Sequence, residues 1–319
     1  MTRTRTQTHV PCSEESVICR FKTMDGAIPK YGTIGLRVLP DRISWAKIGD
    51  TVRQMRKPAK QGRFLAFNLI FDIETGDLLA IIQDAYLQRL RISGTHGAAA
   101  KLLAKCSSCV VGILGSGWLA GGVLQGICAC YDVECIKVYS PNRENRERFA
   151  VSMSEDIGVK VIAVDMPYKV YKGADIIVTC TSSIEPVFRG RSLVRGTHLT
   201  SINTLEVDDE CFMVSDRVVV SHREGKANEG INYVPAAFAH RANVEIFSRN
   251  IQWDRYPELG EVLIGEVPGR SSDDEITFFC NNAGFGAQFG ALGGKAYQLA
   301  KERGLGEEID IERWYEAVR

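Results

Sequence analysis

One stretch of the chain constrains the fold more than any other: an apolar run that leads into a glycine turn and then a helical pattern. The run Val110–Leu114 predicts a buried parallel strand, and the helical pattern continues to about Cys130. Between them lies a Gly-x-Gly-x-x-Ala turn, in which Gly115 allows a tight bend, Gly117 lets the backbone approach a phosphate, and Ala120 lets helix and strand pack closely. The turn therefore predicts that a dinucleotide pyrophosphate binds at the positive N-terminus of the helix.

The overall composition is that of a soluble globular protein. Of the 319 residues, 45% are hydrophobic and 24% are charged, and the length is sufficient for two domains. Lys plus Arg and Asp plus Glu number 39 each, so the charge balance gives no support for binding to nucleic acid or to an anionic membrane. No apolar stretch approaches the roughly 20 residues that span a bilayer.

The N-terminus and the cysteines carry little functional signal. The first nine residues have no apolar core, which predicts a frayed tail rather than a secretory signal and, by default, a cytoplasmic location. The 10 cysteines do not indicate a disulfide framework in a chain of this length. Cys106 and Cys109 have the spacing of a redox or zinc pair, but no second pair or nearby histidine completes a tetrahedral site. We therefore interpret them as part of a loop and expect no metal site.

Strands and helices alternate from Val110 onward, which is the pattern of a doubly wound parallel sheet. A charged helix is predicted from Asn142 to about Ser154. The other strands of this α/β region, roughly residues 106–283, are predicted at Cys135–Tyr139, Val159–Val164, Asp175–Thr181, Thr197–Ile202 and Arg217–Ser221.

The first hundred residues follow a different pattern. Apolar runs at Arg63–Phe71 and Leu78–Gln83, joined by a turn with Gly and Asp in suitable places, predict an antiparallel hairpin. Asp84 then has the character of an N-cap at the start of a long helix that ends near Lys105.

The C-terminal segment is again helical, from Gln288 to about Arg303, and we expect it to return to the N-terminal unit. The chain thus predicts an α/β protein in which a Rossmann domain, residues 106–283, is inserted into an α+β domain built from residues 1–105 and 284–319.

The long helix that starts near Asp84 contains a candidate binding residue, Arg91. Its guanidinium suits a carboxylate, and it shares a helix face with Thr95, but taken alone the residue favours a surface or structural role. Gly94 and Gly97 interrupt good helix formers, which indicates that another element approaches this helix closely.

The end of the second Rossmann strand bears on the type of dinucleotide. NAD-binding sheets carry an acidic residue there that accepts hydrogen bonds from the adenosine ribose, whereas this chain has none. Ser140 and Asn142 can donate hydrogen bonds to a phosphate, and Arg143 can pair with it. This favours NADP over NAD, the alternative being that Arg143 is a solvent-exposed residue of an ordinary first helical turn.

Polar side chains follow the fourth and fifth Rossmann strands, at the edge where ligands bind in open α/β sheets. Cys180, Thr181 and Ser182 follow the fourth strand, and Ser201 ends the fifth. They fit a path for ribose and nicotinamide, although Ser and Thr also end strands for structural reasons. His198 lies within a predicted strand, and we interpret it as structural.

Together these segments resemble the ornithine cyclodeaminase/mu-crystallin family of NAD(P)-dependent enzymes. The resemblance starts at about Tyr31 and covers most of the chain from there. In the family's order, the matching segments are Leu69–Ala80, Leu87–Lys101, Gly115–Ala120, Gly173–Thr181 and Asn281–Phe289.

The resemblance implies a homodimer whose N-terminal units pair, with an active site between the two domains for a small amino, imino or oxo acid. It implies that Arg91 binds the substrate carboxylate and that Thr95 and His96 lie against the cofactor phosphates. The family's substrate-binding lysine falls at Arg37, which cannot readily carry a proton, so Lys22 is the candidate for that task. With the motifs, it implies cofactor contacts from Gly115, Ser116, Gly117, Trp118, Leu119, Ala120, Ser140, Asn142, Arg143, Cys180, Thr181, Ser182, Ser201 and Asn282.

One departure from the family bears on the reaction. Many members carry a catalytic aspartate in a glycine-rich loop after the fifth strand, whereas the segment Ser201–Asp209 is shorter and has no counterpart. We therefore expect an NADPH-dependent reductase of a small 2-imino or 2-oxo acid. The alternatives are a cyclodeaminase-type lyase that uses bound NAD, and a non-catalytic binding protein of the crystallin type.

Overall fold

The computed structural model describes residues 6–48, 51–60, 62–223 and 251–316 of the chain. These residues form one antiparallel and one parallel sheet, which together with the helices confirm the expected α/β class with a Rossmann sheet and a separate α+β unit. The boundaries of the two domains at residues 105 and 284 stay a prediction.

The N-terminal sheet has six antiparallel strands in the order β1-β2-β3-β5-β6, with β4 paired to the second half of the long strand β3. The hairpin that the sequence predicts corresponds to the fifth and sixth strands. The bounds are β1 Thr6–Pro11, β2 Ile18–Ile28, β3 Thr33–Ile48, β4 Thr51–Lys57, β5 Phe67–Asp72 and β6 Leu78–Gln83.

The prediction of a frayed tail over the first nine residues is wrong for residues 6–9, which belong to β1, and residues 1–5 lie outside the described part of the chain. This strand pairs with β2 in a register that runs from Thr6 opposite Thr23 to Pro11 opposite Ile18. The β-branched residues of the segment favour extended backbone, and the ladder satisfies backbone groups that a tail would leave to water. The strand is not predictable from this segment alone, because it depends on pairing with β2.

The C-terminal sheet has seven parallel strands in the order β12-β13-β11-β10-β7-β8-β9. Six of them lie where the sequence predicts them, and β13 was missed. The strand order reverses between β7 and β10, where a doubly wound sheet opens a crevice for ligands. The bounds are β7 Val110–Leu114, β8 Cys135–Tyr139, β9 Lys160–Ala163, β10 Ile176–Thr179, β11 His198–Ser201, β12 Arg217–Val220 and β13 Thr277–Cys280.

The described helices include one that returns to the N-terminal sheet, as expected. This is α7, which packs on β2 and β3: a Cβ at Gly286 would lie 2.0 Å from the carbonyl carbon of Asp25, and Thr33 Oγ1 donates to Gly290 O at 3.1 Å. The bounds are α1 Asp84–Leu103, α2 Trp118–Cys128, α3 Arg143–Ile157, α4 Pro167–Tyr171, α5 Glu210–Val214, α6 Leu259–Leu263 and α7 Gly286–Glu302.

Helices α1 and α2 touch through their backbones. A Cβ at Gly97 would lie 2.5 Å from the carbonyl oxygen of Gly126, and a Cβ at Gly126 would lie 2.1 Å from that of Ser93. The expected close approach to α1 is thus confirmed at Gly97. At Gly94 it is wrong, because no atom of the described residues lies within 4 Å of a Cβ placed there.

Strand β4 also connects the two sheets. Its backbone pairs with the loop that follows β10: Gln54 N donates to Ser182 O at 3.0 Å, and Ile184 N donates to Val52 O at 3.1 Å. The strand therefore closes one side of the space between the N-terminal sheet and the carboxyl ends of the Rossmann strands.

Candidate functional site

A cleft of about 1470 Å³ lies between the two sheets. One wall consists of the glycine turn after β7 and the segments that follow β8, β10, β11 and β13, and the other consists of β2, β3, β4 and the start of α1. Pockets for single small molecules usually measure about 300 to 1,000 Å³. The cleft is therefore large enough for a dinucleotide and a second small molecule.

The glycine turn has the geometry that a dinucleotide phosphate needs. Gly115 has φ of 120°, and a Cβ there would lie 2.0 Å from the carbonyl oxygen of Cys180, so only glycine fits. At Gly117, by contrast, a Cβ would meet no atom of the described residues within 4 Å. Gly117 is the N-cap of α2 and supplies no side-chain cap, which leaves the first amides of this 11-residue helix for a ligand.

The end of β8 contains no acidic residue, and its polar groups are partly engaged. Ser116 Oγ donates to Ser140 Oγ at 2.8 Å, and Asn142 caps α3 by accepting from the backbone amide of Asn145. Both Ser140 and Asn142 line the cleft. The side chain of Arg143 is 79% exposed and pairs with Glu147 instead.

A second arginine, which the sequence analysis did not single out, lies closer to this strand end. Arg146 Nη1 donates to the carbonyl oxygen of Ser140 at 2.9 Å, and its guanidinium lies 5.5 Å from the ring centre of Tyr139. It is one helical turn after Arg143, so the spacing of the two arginines was a signal for it.

Hydrogen bonds to Glu206, a residue that the sequence analysis missed, position the loop after β10. The fully buried carboxylate of Glu206 accepts hydrogen bonds from the backbone amide of Thr181, from Thr179 Oγ1 and from the amide of Asn203. Burial raises the pKa of Glu206 to about 7 although these hydrogen bonds lower it. The spacing Asn203-x-x-Glu206, a capping box, was the available sequence signal.

No acidic side chain of the segment after β11 lines the cleft. Glu206 points into the protein, Asp208 accepts from the backbone amide of Gly190 at 2.9 Å, and Asp209 is the N-cap of α5. The segment thus provides no carboxylate in the place where the family resemblance puts a catalytic aspartate.

Arg91 lines the opposite wall, next to apolar side chains and a glycine. Its Nε donates to Gln88 Oε1 at 3.2 Å, and its guanidinium lies 5.8 Å from the ring centre of Phe289. A Cβ at Gly284 would lie 3.0 Å from Arg91 Nη1 and 2.9 Å from Met24 Cε. Glycine at position 284 therefore keeps the space in front of the guanidinium open.

The structure gives Arg37 a different partner from the expected substrate carboxylate. Its Nε and Nη2 donate to the two carboxylate oxygens of Asp84 at 2.7 Å each, and its Nη1 contacts the sulfur of Met24 at 3.6 Å. Asp84 also accepts from Asn68 Nδ2. The prediction that Asp84 caps α1 is wrong as well, because Asp84 is the first residue of the helix and Gln83 is the N-cap.

Lys22 belongs to a group of charges that the sequence analysis did not anticipate, here called the Asp41 cluster: Arg20, Lys22, Asp41 and Arg56. Asp41 Oδ2 accepts from Lys22 Nζ at 2.9 Å and from Arg20 Nη2 at 3.1 Å, and Asp41 Oδ1 lies 2.6 Å from Arg56 Nε. Burial opposes ionisation of Asp41, but the three cations lower its pKa to about 2. All four residues line the cleft.

Thr95 and His96 do not line the cleft, so the expectation that they contact phosphates gains no support from the geometry. His96 is fully buried, with Nδ1 2.7 Å from Thr200 Oγ1 and Nε2 3.1 Å from Asn281 Nδ2, and burial lowers its pKa to about 3. Thr95 Oγ1 donates to Arg91 O and accepts from Gln288 Nε2. Both residues join α1 to its neighbours.

His198 is structural, as expected. It is fully buried in β11, its Nδ1 lies 2.9 Å from Thr277 Oγ1, and burial lowers its pKa to about 3.

The cleft brings together most of the side chains that the sequence analysis singled out. Ala120, Arg143 and Ser201 stay outside its lining with Thr95 and His96, since Ala120 and Ser201 are fully buried and Arg143 faces solvent. The residues that do line it are Lys22, Arg37, Arg91, Gly115, Ser116, Gly117, Trp118, Leu119, Ser140, Asn142, Cys180, Thr181, Ser182 and Asn282.

Two kinds of feature are absent from the described part of the chain. No group of three or more His, Cys, Asp or Glu side chains that could hold a metal ion occurs there, and no helix there is long and apolar enough to cross a membrane. The cysteines are free thiols, and Cys106 and Cys109 lie in the loop between α1 and β7.

Comparison with known proteins gave a consistent set of matches. A model of the ornithine cyclodeaminase/mu-crystallin family matches residues 51–288. The chain is 30% identical to a Δ1-pyrroline-2-carboxylate reductase of Bacillus cereus over 76% of this chain and 73% of the relative. It is 30% identical to an alanine dehydrogenase of Archaeoglobus fulgidus over 78% of this chain and 74% of the relative.

Among solved structures, the fold matches that of Thermococcus litoralis Δ1-pyrroline-2-carboxylate reductase in complex with NADH and L-proline. The TM-score is 0.75 and the identity 23%, over 97% of this chain and 90% of the other. At this identity the likeness shows the fold alone.

Proposed function

The chain belongs to the ornithine cyclodeaminase/mu-crystallin family, and from that premise we propose that it is an NAD(P)H-dependent reductase of small α-imino or α-oxo acids. The two relatives at 30% identity are named as a reductase of an imino acid and a dehydrogenase of an amino acid. The observation that carries the proposal is that one cleft is lined by both the dinucleotide turn, Gly115–Leu119, and the carboxylate-binding candidate Arg91.

Arg91 is the residue that holds the substrate carboxylate. Its planar guanidinium can donate two parallel hydrogen bonds to a carboxylate, and Gly284 leaves room for one in front of it. The side chains of Met24 and Phe289 next to it are apolar and keep water away from the bound acid. A charge-assisted hydrogen bond is stronger in such surroundings than in water.

Arg37 supports this arrangement indirectly. Its charge is neutralised by Asp84, so it does not compete with Arg91 for the carboxylate. Both residues border the ring of Phe289, at 4.9 Å from Arg37 and 5.8 Å from Arg91. The ion pair thus fixes the surface around Phe289 that contacts the substrate, and Arg37 acts as a positioning residue.

The backbone amides at Gly117, Trp118 and Leu119 would hold the dinucleotide pyrophosphate, and bound reduced nicotinamide supplies a hydride. The substrate must also gain a proton as its C=N or C=O bond is reduced. Lys22 is the only lysine among the described residues of the cleft lining, and we assign that proton to its Nζ. Asp41 at 2.9 Å stabilises the ammonium form.

NADP is the better-supported dinucleotide. Among the described residues, no carboxylate lies at the end of β8 to accept from a ribose 2′-hydroxyl, whereas Ser140 and Asn142 line the cleft there. Arg146, bound to the carbonyl of Ser140, adds a positive charge behind them. Arg143 is paired with Glu147, so its positive charge attracts the 2′-phosphate of NADP at a distance and makes no direct contact with it.

No specific observation favours the cyclodeaminase alternative, because the segment after β11 offers the cleft no carboxylate for a side-chain amine. A homodimer that pairs through the N-terminal sheets and a cytoplasmic location remain part of the proposal, and the name of one structure that matches the fold describes an alanine dehydrogenase dimer.

The test is to follow the absorbance of NADPH, and separately of NADH, with a panel of 2-oxo acids and ammonia or methylamine. A parallel incubation contains ornithine and catalytic NAD, with product analysis. Net oxidation of the dinucleotide establishes the reductase. Proline formed from ornithine without net oxidation establishes the cyclodeaminase instead, and cofactor binding without any reaction favours the binding-protein alternative.

A further inference from the structure

The substrate end of the cleft carries more positive charge than a single carboxylate needs. Among its described lining residues are six basic side chains, namely Arg20, Lys22, Arg37, Arg53, Arg56 and Arg91, and two acidic ones, namely Asp41 and Asp84. Asp84 neutralises Arg37, and Arg91 is assigned to the substrate carboxylate. Among the described residues, the Asp41 cluster then has three cations around one carboxylate, which is more positive charge than the dinucleotide turn or the α-carboxylate accounts for.

The cluster is held in place. The side chains of Lys22 and Arg20 are 9% and 12% exposed, and Arg56 lies 4.5 Å from the ring centre of Phe64. Among the described residues, the buried Nε of Arg20 has no hydrogen-bond partner. Burying several like charges costs free energy unless a further anion balances them. The cluster therefore has the charge and the open donor of an anion-binding site.

The position of the cluster relative to Arg91 is set by strand geometry. Met24, Lys22 and Arg20 alternate along β2 and share one face, as do Arg37, Leu39 and Asp41 along β3. At about 3.4 Å per residue, Lys22 lies about 7 Å and Arg20 about 14 Å along the strand from Met24.

The surface between the two charged ends is apolar. Leu39 is paired with Lys22 in the register, lies between Arg37 and Asp41 on β3, and lines the cleft with Met24. This arrangement places two cationic ends on either side of a short apolar floor. It is complementary to a molecule in which methylene groups join two carboxylates.

We propose that the Asp41 cluster is a second anion-binding subsite, and that the substrates of this enzyme are 2-oxo or 2-imino acids with a second carboxylate at the end of the side chain. Arg91 binds the α-carboxylate, Leu39 and Met24 contact the methylene groups, and Arg20 and Arg56 bind the distal carboxylate. This inference rests on the proposed reductase function and specifies its substrate class.

The first arm of the test compares substrates that differ only at the far end. With NADPH and methylamine, 2-oxoglutarate and 2-oxoadipate are assayed against 2-oxovalerate and 2-oxohexanoate, which have a methyl group in place of the distal carboxylate. We expect kcat/KM to be at least about tenfold higher for each dicarboxylic acid, since one charge-assisted contact has about that effect.

Two arginine variants assign the effect to the cluster. In R56Q, which changes a half-exposed side chain, we expect the ratio of the two kcat/KM values to fall about tenfold. The matched control is R42Q, because Arg42 follows Asp41 on β3 but faces the other way and pairs with Glu14. The control should keep the wild-type ratio. Equal rates with both acid classes, or an unchanged ratio in R56Q, would overturn the subsite and leave the reductase intact.

A binding arm separates failure of the subsite from failure of the reductase. Glutarate and valerate are titrated into the full chain in the presence of NADP, with the thermal unfolding midpoint as the readout. Stabilisation by glutarate but not by valerate, lost in R56Q and kept in R42Q, supports the subsite even if no acid is reduced. Equal behaviour of the two acids contradicts it.

Discussion

Arg37 and Asp84 form a bidentate ion pair between β3 and the first residue of α1, with both N–O distances at 2.7 Å. Both side chains are buried, and each lines the cleft. The pair therefore sets the angle at which α1, the helix that carries Arg91, leaves the N-terminal sheet. Stability and the position of the carboxylate-binding group thus depend on the same contact.

Removing the carboxylate from this pair should be costly. In D84N the guanidinium of Arg37 stays buried without a counter-charge, so we expect the free energy of unfolding to fall by about 3 to 5 kcal/mol. Urea denaturation at neutral pH measures it. The control is R143Q, which removes an exposed pair with Glu147 and should leave the free energy of unfolding nearly unchanged. Similar losses in both variants would show that the buried pair contributes no more than a surface pair.

Arg91 should affect catalysis and leave cofactor binding intact. In R91A the substrate carboxylate loses its partner, and we expect kcat/KM for every accepted 2-oxo acid to fall by about 100-fold or more. Titration of NADPH by fluorescence should give the wild-type Kd. The control R148A changes an exposed arginine of α3 and should alter neither quantity. Retention of turnover in R91A would remove Arg91 from the proposed site.

The two glycines of the turn should respond differently to a side chain. In G117V the new side chain enters open space at φ of −91°, so the free energy of unfolding should change by less than about 1 kcal/mol. The affinity for NADPH should fall at least about tenfold, because the side chain blocks the approach of the phosphate. In G115A the Cβ collides with Cys180 O at φ of 120°, and about 1 to 3 kcal/mol of stability should be lost. Isothermal titration and urea denaturation measure the two effects, and normal NADPH binding by G117V would place the pyrophosphate elsewhere.

An acidic residue at the end of β8 should reverse the choice of dinucleotide. In S140D a carboxylate would repel the 2′-phosphate of NADP and accept hydrogen bonds from the ribose of NAD. We expect the ratio of kcat/KM for NADPH to that for NADH to fall about tenfold or more. R143E should shift the ratio in the same direction by a smaller factor, since Arg143 faces solvent. Parallel loss of activity with both dinucleotides would contradict the NADP assignment.

Glu206 should make stability depend on pH. Its pKa is raised from 4.5 to about 7, so between these values the folded protein holds a proton that the unfolded chain has released. The resulting stabilisation is present below about pH 4.5 and is lost as pH rises through 7. Relative to E206Q, we expect the wild type to lose on the order of 2 kcal/mol between pH 5 and pH 8. Urea denaturation across this range tests it, with E144Q, at an exposed position, as the control; parallel curves for wild type and E206Q would refute it.

The local parts of the fold could be predicted from the sequence, and the parts that depend on distant partners could not. Val110–Leu114 and the turn after it are specified by neighbouring residues, since an apolar strand and two glycines suffice. The strand at Thr6–Pro11 is polar and exposed, and its existence depends on β2, which is seven residues further on. Strand β13 has four residues that are all buried, so it shows no alternation of apolar and polar residues by which it could be recognised.

The candidate site follows the same division. The glycine turn and the lack of an acidic residue at the end of β8 could be predicted from the sequence, because each belongs to one short segment. The pairing of Arg37 with Asp84 joins residues 47 positions apart, and it gives another partner to a side chain that the family resemblance placed at the substrate. The Asp41 cluster requires the register of three strands, which no pattern within a single segment contains.

The backbone pairing of β4 with the loop after β10 has a consequence for how ligands enter and leave. The hydrogen bonds Gln54 N to Ser182 O and Ile184 N to Val52 O join the substrate wall to the cofactor wall. A hinge motion cannot separate the two walls at this side, because these backbone hydrogen bonds would first have to break. Any parting of the two walls that admits a ligand is therefore expected at the side of the cleft away from these hydrogen bonds.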